Sequence, residues 1–379
     1  MTFKSILGQK NQIDYLKQSV EKGVIPHAQL FVGKEGSGAL PLAVAYAQYI
    51  LCRFSASPKA CAIKCEKLQH PDLHFAFPVS TTKSVKSHPT SSLFLKEWRL
   101  FYASQPYGNL FNWFEYIGIE NKQGLIGVDQ AKEIVKTLQL KSYEGGFKIM
   151  IIWMAEKMNI AASNKLLKLI EEPPDKTVFI LVVEDEGQVI STIKSRCQAL
   201  HFPALSQFTI ANALIEREKA DKNEALKIAF QAAGSYNKAL YLLHQHTDYT
   251  VFENWIINWV RSAFMAKTKL SAIQNLIEYS ETIAIAGRET QKQFLQYCLQ
   301  FFRQALLLNY GVPELVIMQI KNPNFRFSKF APFVHGNNVI AIEKELSEAQ
   351  YHIERNGNAK IILLDLSIKL TRLLHIKEK

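Results

Sequence analysis

Apolar residues come along this chain in two rhythms, and the change falls near Pro203. Before it, short unbroken apolar runs alternate with stretches at helical spacing. Leu30-Phe31-Val32 reads as a short buried strand, Lys148-Ile149-Met150-Ile151-Ile152-Trp153-Met154 as a central strand of a parallel sheet, and Thr177–Val183 as a third. Helical patterns lie around them at Gln9–Lys22, Leu42–Ile50, Val128–Leu138, Met158–Ile170 and Val189–Cys197. In the third of these the buried side is expected at Val128, Ile134, Val135 and Leu138. The fourth is expected to stop at Glu171-Glu172-Pro173-Pro174, because proline cannot continue a helix. Strands separated by helices in this order predict an α/β domain with a parallel, doubly wound sheet.

From Ser206 to Lys379 the spacing is helical almost throughout, which predicts all-α structure with a break near residue 246. The last segment, Lys360–His375, is amphipathic, with Ile361, Leu364, Ile368 and Leu370 among its apolar positions.

The stretch Gly33-Lys34-Glu35-Gly36-Ser37-Gly38-Ala39-Leu40 sits between the first strand and a helix, which is the context of a phosphate-binding loop. In a working loop the last two positions are Lys, for the outer phosphates, and Ser or Thr, for magnesium. Here they are Ala39 and Leu40, which supply neither charge nor metal ligand. Gly33, Gly36, Ser37 and Gly38 keep the outline of a nucleotide-binding loop without its chemistry. The second strand repeats the loss: where two acids would hold magnesium and polarise water, the chain has Trp153 and Met154. Glu156, two residues on, reads as a surface or capping residue. Ser195-Arg196-Cys197 is different, since an arginine fork is suited to phosphate oxygens.

Composition narrows this further. The net charge of +11 admits a polyanionic partner such as nucleic acid, or an ordinary solvated basic surface. No apolar run approaches the ~20 residues of a membrane span. Met1-Thr2-Phe3-Lys4 opens without a secretory leader, so a cytoplasmic location is expected. The odd cysteine count (Cys52, Cys61, Cys65, Cys197, Cys298) suggests reduced thiols or metal ligands rather than disulfides. Cys197 and Cys298 are expected to be buried rather than reactive.

Together these motifs resemble the AAA+ clamp-loader family and, within it, the delta-prime class of the bacterial DNA polymerase III clamp loader. The match is carried by Ile6-Leu7-Gly8-Gln9, His27-Ala28-Gln29-Leu30-Phe31, His70-Pro71-Asp72, Asn164 through Pro174, Ser195-Arg196-Cys197, and Ala233-Gly234-Ser235 through Leu240. The resemblance implies a degenerate AAA+ P-loop domain at 1–204, a helical lid at 205–246 and a helical collar for oligomerisation at 247–379. The first would include a zinc-module remnant at 52–74 and an insertion at 81–126. The aromatics of that insertion (Phe94, Trp98, Phe101, Tyr102, Phe111, Trp113, Phe114) lie outside the shared motifs and are read as packing on their own domain rather than stacking bases.

By resemblance, Arg196, flanked by Ser195 and Cys197, acts in trans on ATP held by a neighbouring motor subunit. The lid position usually held by a phosphate-sensing arginine is Asn237, and the polar sensor after the third strand is Val183. The chain is then expected to hydrolyse no ATP itself, while belonging to the DNA polymerase III holoenzyme and its replisome. The implied partners are gamma/tau motor subunits, the delta subunit, the sliding clamp indirectly, and primer–template DNA through the complex. The family's zinc spacing is only partly kept, leaving Cys52, Cys61, Cys65 and His70 as the candidate ligands. Two other classes stand beside this reading: an ATP-hydrolysing motor subunit, and a free-standing DNA-binding protein.

Overall fold

The apolar runs pair into a five-stranded parallel sheet wrapped on both faces. A computed structural model of the chain describes residues 2–119, 122–144, 146–244, 249–316, 318 and 320–378. In chain order the sheet-bearing unit runs α1 (Lys10–Glu21), β1 (Ala28–Gly33), α2 (Ala39–Arg53), α3 (Pro58–Glu66), β2 (Leu73–Ala76), α4 (Leu95–Ser104), α5 (Leu110–Tyr116) and α6 (Val128–Gln139). It continues with β3 (Lys148–Trp153), α7 (Ile160–Glu171), β4 (Thr177–Val183), α8 (Ser191–Lys194) and β5 (Gln198–Phe202). The strand order is β2-β3-β4-β1-β5, and the register sets Ala28 beside Phe179 and Trp153 beside Val182.

Alternation along each strand assigns its side chains to the two faces. Phe31, Ile149, Ile151, Trp153, Val178, Ile180 and Val182 join the core made with α1, α2, α4 and α5. Leu30, Met150, Ile152, Phe179, Leu181 and Val183 join the core made with α6, α7 and α8. All seven residues of β4 are buried, as an interior strand requires.

Two strands fall outside those expected from the sequence. β2 has four residues and β5 has a mostly exposed Gln-Ala-Leu-His-Phe pattern; both lie at the sheet edges. An edge strand buries too little to need an unbroken apolar run. The helix expected at Val189–Cys197 shrinks to α8, because the chain must turn at Ser195–Cys197 to enter β5. On α6, Ile134 and Leu138 are buried, while Val128 and Val135 are half-buried.

Three further helices belong to the same unit: α9 (Gln207–Glu218), α10 (Lys222–Ala232) and α11 (Tyr236–His244). Ser206 and Asp221 cap the first two with side-chain oxygens on the backbone N–H groups of Thr209 and of Asn223 and Glu224. Their small core of Ile210, Leu214, Ala225 and Ala229 also takes in Leu7, Tyr107 and Tyr236.

The second unit contains α12 (Tyr249–Met265), α13 (Leu270–Ile285), α14 (Arg288–Asn309), α15 (Phe327–Phe330), α16 (Val339–Glu354) and α17 (Ala359–Leu373). The break expected near residue 246 lies outside the described residues. Trp259, Phe294, Cys298 and Phe301 form the centre of this unit's core. α17 buries Leu363, Leu366 and Leu370, whereas Ile361 and Ile368, expected on its apolar side, are exposed. The buried stripe is thus rotated from the one read off the spacing. Among the described residues no helix is long and apolar enough to cross a membrane.

Candidate functional site

β1 delivers the chain to the Gly33–Leu40 loop at the C-terminal end of the sheet, where ligands of open α/β folds bind. Gly36 and Gly38 take φ of +69° and +96°, the left-handed region open to glycine, and Gly38 caps α2. The loop therefore keeps its shape. Its closing residues do not face solvent: α2 starts at Ala39, and Ala39 and Leu40 are each only 5% exposed, in the core. Trp153 packs against Trp98 and Phe101, with ring centroids 5.1 and 6.4 Å away. Met154 is buried beyond the strand end with a φ of 55°, a left-handed turn held by its packing. Val183 ends β4 fully buried. The positions that would carry lysine, metal ligands and sensor have become core.

The space in front of the loop is closed by other parts of the unit. The backbone N–H of Tyr236 donates to the carbonyl of Gly36 at 3.2 Å, and a Cβ on Gly36 would run into Ser235. Asn237 Nδ2 donates to Glu35 Oε1 at 3.1 Å and to Asn112 Oδ1 at 3.0 Å, engaging both its hydrogens. Tyr107 meets Tyr236 edge-on at 5.1 Å, and its hydroxyl accepts the N–H of Leu7 at 2.8 Å. Gln9 Nε2 donates to the carbonyls of Ser37 (2.9 Å) and Pro203 (2.8 Å), tying the loop to the exit from β5. The remaining cavity, lined by the loop, Tyr107, Trp153, Met154, Val183 and Glu184, measures about 30 Å³. That is room for a few waters.

Carboxyl groups gather beside Lys34 at this cavity. Glu184 follows β4 at the mouth of this cavity, and burial, then the charges of Glu35 and Glu156, push its carboxyl up to about 7. Glu156, expected as a surface or capping residue, is half-buried, and its Oε1 accepts the backbone N–H of Glu184 at 2.9 Å, in keeping with the second alternative. Burial raises its pKa also.

The Ser195–Cys197 corner is built differently. Ser195 Oγ donates to the carbonyl of Thr192 at 3.2 Å, closing the turn. Cys197 is half-buried against the α6–α8 core, and burial lifts its thiol to about 11, which keeps it protonated and unreactive. Arg196 stays 32% exposed, with Nε on Glu171 Oε2 at 3.0 Å and Nη1 on the carbonyl of Thr192 at 2.9 Å.

The cysteines depart from expectation. Cys52, at the end of α2, and Cys61, in α3, form a disulfide with Cα atoms 5.4 Å apart, where reduced thiols or metal ligands were expected. The α2–α3 turn brings about this meeting of two cysteines that the family spacing had grouped as candidate ligands. Cys65 lies beside them, its Sγ 3.9 Å from that of Cys61, and the three sulfurs fall within 4.8 Å of one another. Burial raises the Cys65 thiol to about 12. His70 is not part of this group. Its Nδ1 accepts the N–H of Asp72 at 3.1 Å and its Nε2 faces Glu144 at 3.3 Å, while Asp72 accepts the N–H groups of Tyr143 and Glu144. Three of the four ligands expected for zinc, Cys52, Cys61 and Cys65, are thus brought together, and His70 lies outside their group.

Sequence reasoning missed Tyr107, Asn112 and Glu171 as individual contributors, and it quoted Gln9 without a role. Gln9 carried one local signal, its place beside Gly8 ahead of a helix. Tyr107 and Asn112 carried none, being an ordinary aromatic and an ordinary amide in an aromatic-rich insertion. The insertion packs on its own unit as expected, with Trp98, Phe101 and Trp113 fully buried.

Residues 8–206 match the family described as DNA polymerase III, delta subunit. Among individual proteins, the chain is 30% identical over 214 residues to DNA polymerase III subunit delta' of Bacillus subtilis (strain 168), covering 55% of this chain and 52% of that one. It is 28% identical over 233 residues to subunit delta' of Escherichia coli (strain K12), covering 60% and 57%. It is also 25% identical over 249 residues to subunit tau/gamma of Haemophilus influenzae, covering 64% and 30%. The chain thus spans about half the length of the delta' relatives it matches. Among solved structures it is similar to a DNA polymerase III gamma subunit-related protein of Thermotoga maritima, with a TM-score of 0.38, 14% identity, and 96% and 100% of the two chains covered. At that distance the likeness carries no argument about function. The match over residues 8–206, more than half the chain, places it in the DNA polymerase III delta subunit family.

Proposed function

We propose that this chain is a delta-prime-type clamp-loader subunit that hydrolyses no ATP and offers Arg196 to ATP bound by a neighbouring motor subunit. The observation that carries the reading is the contrast within one unit: Ala39, Leu40, Trp153 and Met154 are core, while Arg196 keeps a third of its side chain in solvent. A loop with Ala39 and Leu40 at the positions of the phosphate lysine and the magnesium hydroxyl lacks the groups that neutralise a triphosphate. A partly exposed guanidinium can still reach one held elsewhere. The all-α second unit is then the part that joins the other subunits, gamma/tau and delta, in a ring. The positive net charge would favour primer–template DNA within the assembled complex.

Reconstitution with ATP-hydrolysing motor subunits and the sliding clamp tests this. The isolated chain is expected to turn over no ATP. Arg196→Ala is expected to lower hydrolysis at the site it serves by about a thousandfold, the lower end of what arginine fingers contribute, and to abolish clamp loading. Unchanged rates with Arg196→Ala would remove the trans assignment. Turnover by the isolated chain that is lost on altering Gly33–Leu40 would favour a motor subunit instead. Tight, salt-sensitive binding of duplex DNA by the chain alone would favour a free-standing DNA-binding protein.

A further inference from the structure

The guanidinium of Arg196 is held by one distant and one local contact, Glu171 25 residues before it and the carbonyl of Thr192 four residues before it. Glu171 is the last residue of α7, one position before the proline-terminated turn, and Arg196 lies in the turn after α8. The two helices converge because Leu166 and Ile170 of α7 and Ile193 of α8 are fully buried in the same core. That convergence brings the Glu171 carboxylate to 3.0 Å from Nε, while the local turn of α8 sets the Thr192 carbonyl 2.9 Å from Nη1.

A guanidinium has five N–H donors in a rigid plane. These contacts use one on Nε and one on Nη1. Three remain, both on Nη2 and the second on Nη1, and among the described residues no further acceptor bonds to them. Two anchors on different atoms fix the plane of the fork, where an unanchored arginine would spread over many rotamers. Glu171 is 54% exposed, and so open an ion pair contributes little to folding. Its effect falls instead on the direction in which the free donors point.

We propose that Glu171 is a positioning residue for Arg196: with the Thr192 carbonyl it aligns the guanidinium so that its three remaining donors meet a phosphate-bearing ligand of an adjoining subunit. This rests on the trans reading of Arg196. The opposite role, a latch that withholds Arg196 until the phosphate displaces Glu171, predicts the reverse sign.

The test uses the reconstituted complex with Glu171→Ala, Glu171→Gln, Arg196→Ala and the Glu171→Ala/Arg196→Ala double variant. Glu171→Ala is expected to lower kcat at the served site by about two- to fivefold, the scale of an exposed pair, with KM for ATP unchanged. Glu171→Gln keeps an oxygen for Nε and is expected to restore most of the rate. The double variant is expected to match Arg196→Ala alone. In the isolated chain, ¹⁵N NMR is expected to show faster exchange of the Arg196 Nε–H in Glu171→Ala, with an unchanged thermal midpoint. A collapsed rate for Arg196→Ala beside an unchanged or raised one for Glu171→Ala overturns the positioning role alone. An unchanged rate for Arg196→Ala overturns the trans reading and any catalytic purpose for Glu171, while the NMR arm still reports whether Glu171 restrains the fork.

Discussion

Two corners of one unit have gone opposite ways. At Gly33–Leu40 each opening that a nucleotide would need is taken by the chain itself: Ala39 and Leu40 turn inward, Trp153 joins an aromatic cluster, and α11 sits on the loop through Tyr236 and Asn237. At Ser195–Cys197 the backbone is just as well anchored, by Ile193 and Cys197, yet the charged side chain is left partly in water. On the proposed reading, a loop that binds no nucleotide serves as scaffold, so its residues can be apolar and its neighbours fastened to it by ordinary hydrogen bonds. A group proposed to act on another molecule has no such freedom, because burying it would remove its use.

The sharpest way to break this comparison is to treat the first corner as core. Trp153→Ala removes a side chain 4% exposed that packs on Trp98 and Phe101. It is expected to cost about 3–5 kcal/mol by chemical denaturation; a loss under about 1 kcal/mol would mean the position is an open ligand wall.

A smaller effect is expected at the closure. Asn237→Ala removes the bonds to Glu35 and Asn112. It should speed amide exchange in α9–α11 by about tenfold, equivalent to about 1–1.5 kcal/mol. The wild-type rates are expected to be indifferent to added ATP. Slower exchange with ATP would show the closure to be ligand-dependent, as in a working site.

A further effect is a pH dependence. Glu184 titrates near 7 in the folded chain against an ordinary 4.5. Between those values the folded state binds more protons than the unfolded one, so this group makes stability fall as pH rises from about 4.5 through about 7. Glu184→Gln is expected to match the wild type in thermal midpoint near pH 4.5 and to exceed it at pH 8. Parallel pH curves for the two proteins would show that the carboxylate is well solvated.

How much of this could be read in advance depended on range. The missing lysine, magnesium ligand and acids were legible at Ala39, Leu40, Trp153 and Met154, because that chemistry belongs to residue identity at fixed local spacing. β1, β3 and β4 were legible because interior strands need unbroken apolar runs. β2 and β5 were not, since edge strands need none. His70 was grouped with the cysteines on spacing, although folding turns it toward Asp72 and Glu144. Glu156 read as a surface or capping residue, but nothing local announces that the N–H its carboxylate accepts is that of Glu184.

By itself the sequence determined the fold class, the apolar residues Ala39, Leu40, Trp153 and Met154 around the first loop, and the arginine of the Ser195-Arg196-Cys197 tripeptide. These rest on residue type and on periodicities shorter than one element. Only the tertiary structure decided what packs around the Gly33–Leu40 loop and what holds the arginine. Tyr107 reaches Leu7 across 100 residues, Asn237 reaches Asn112 across 125, and Arg196 reaches Glu171 across 25. Such contacts are set by how whole elements pack, and no local pattern encodes them.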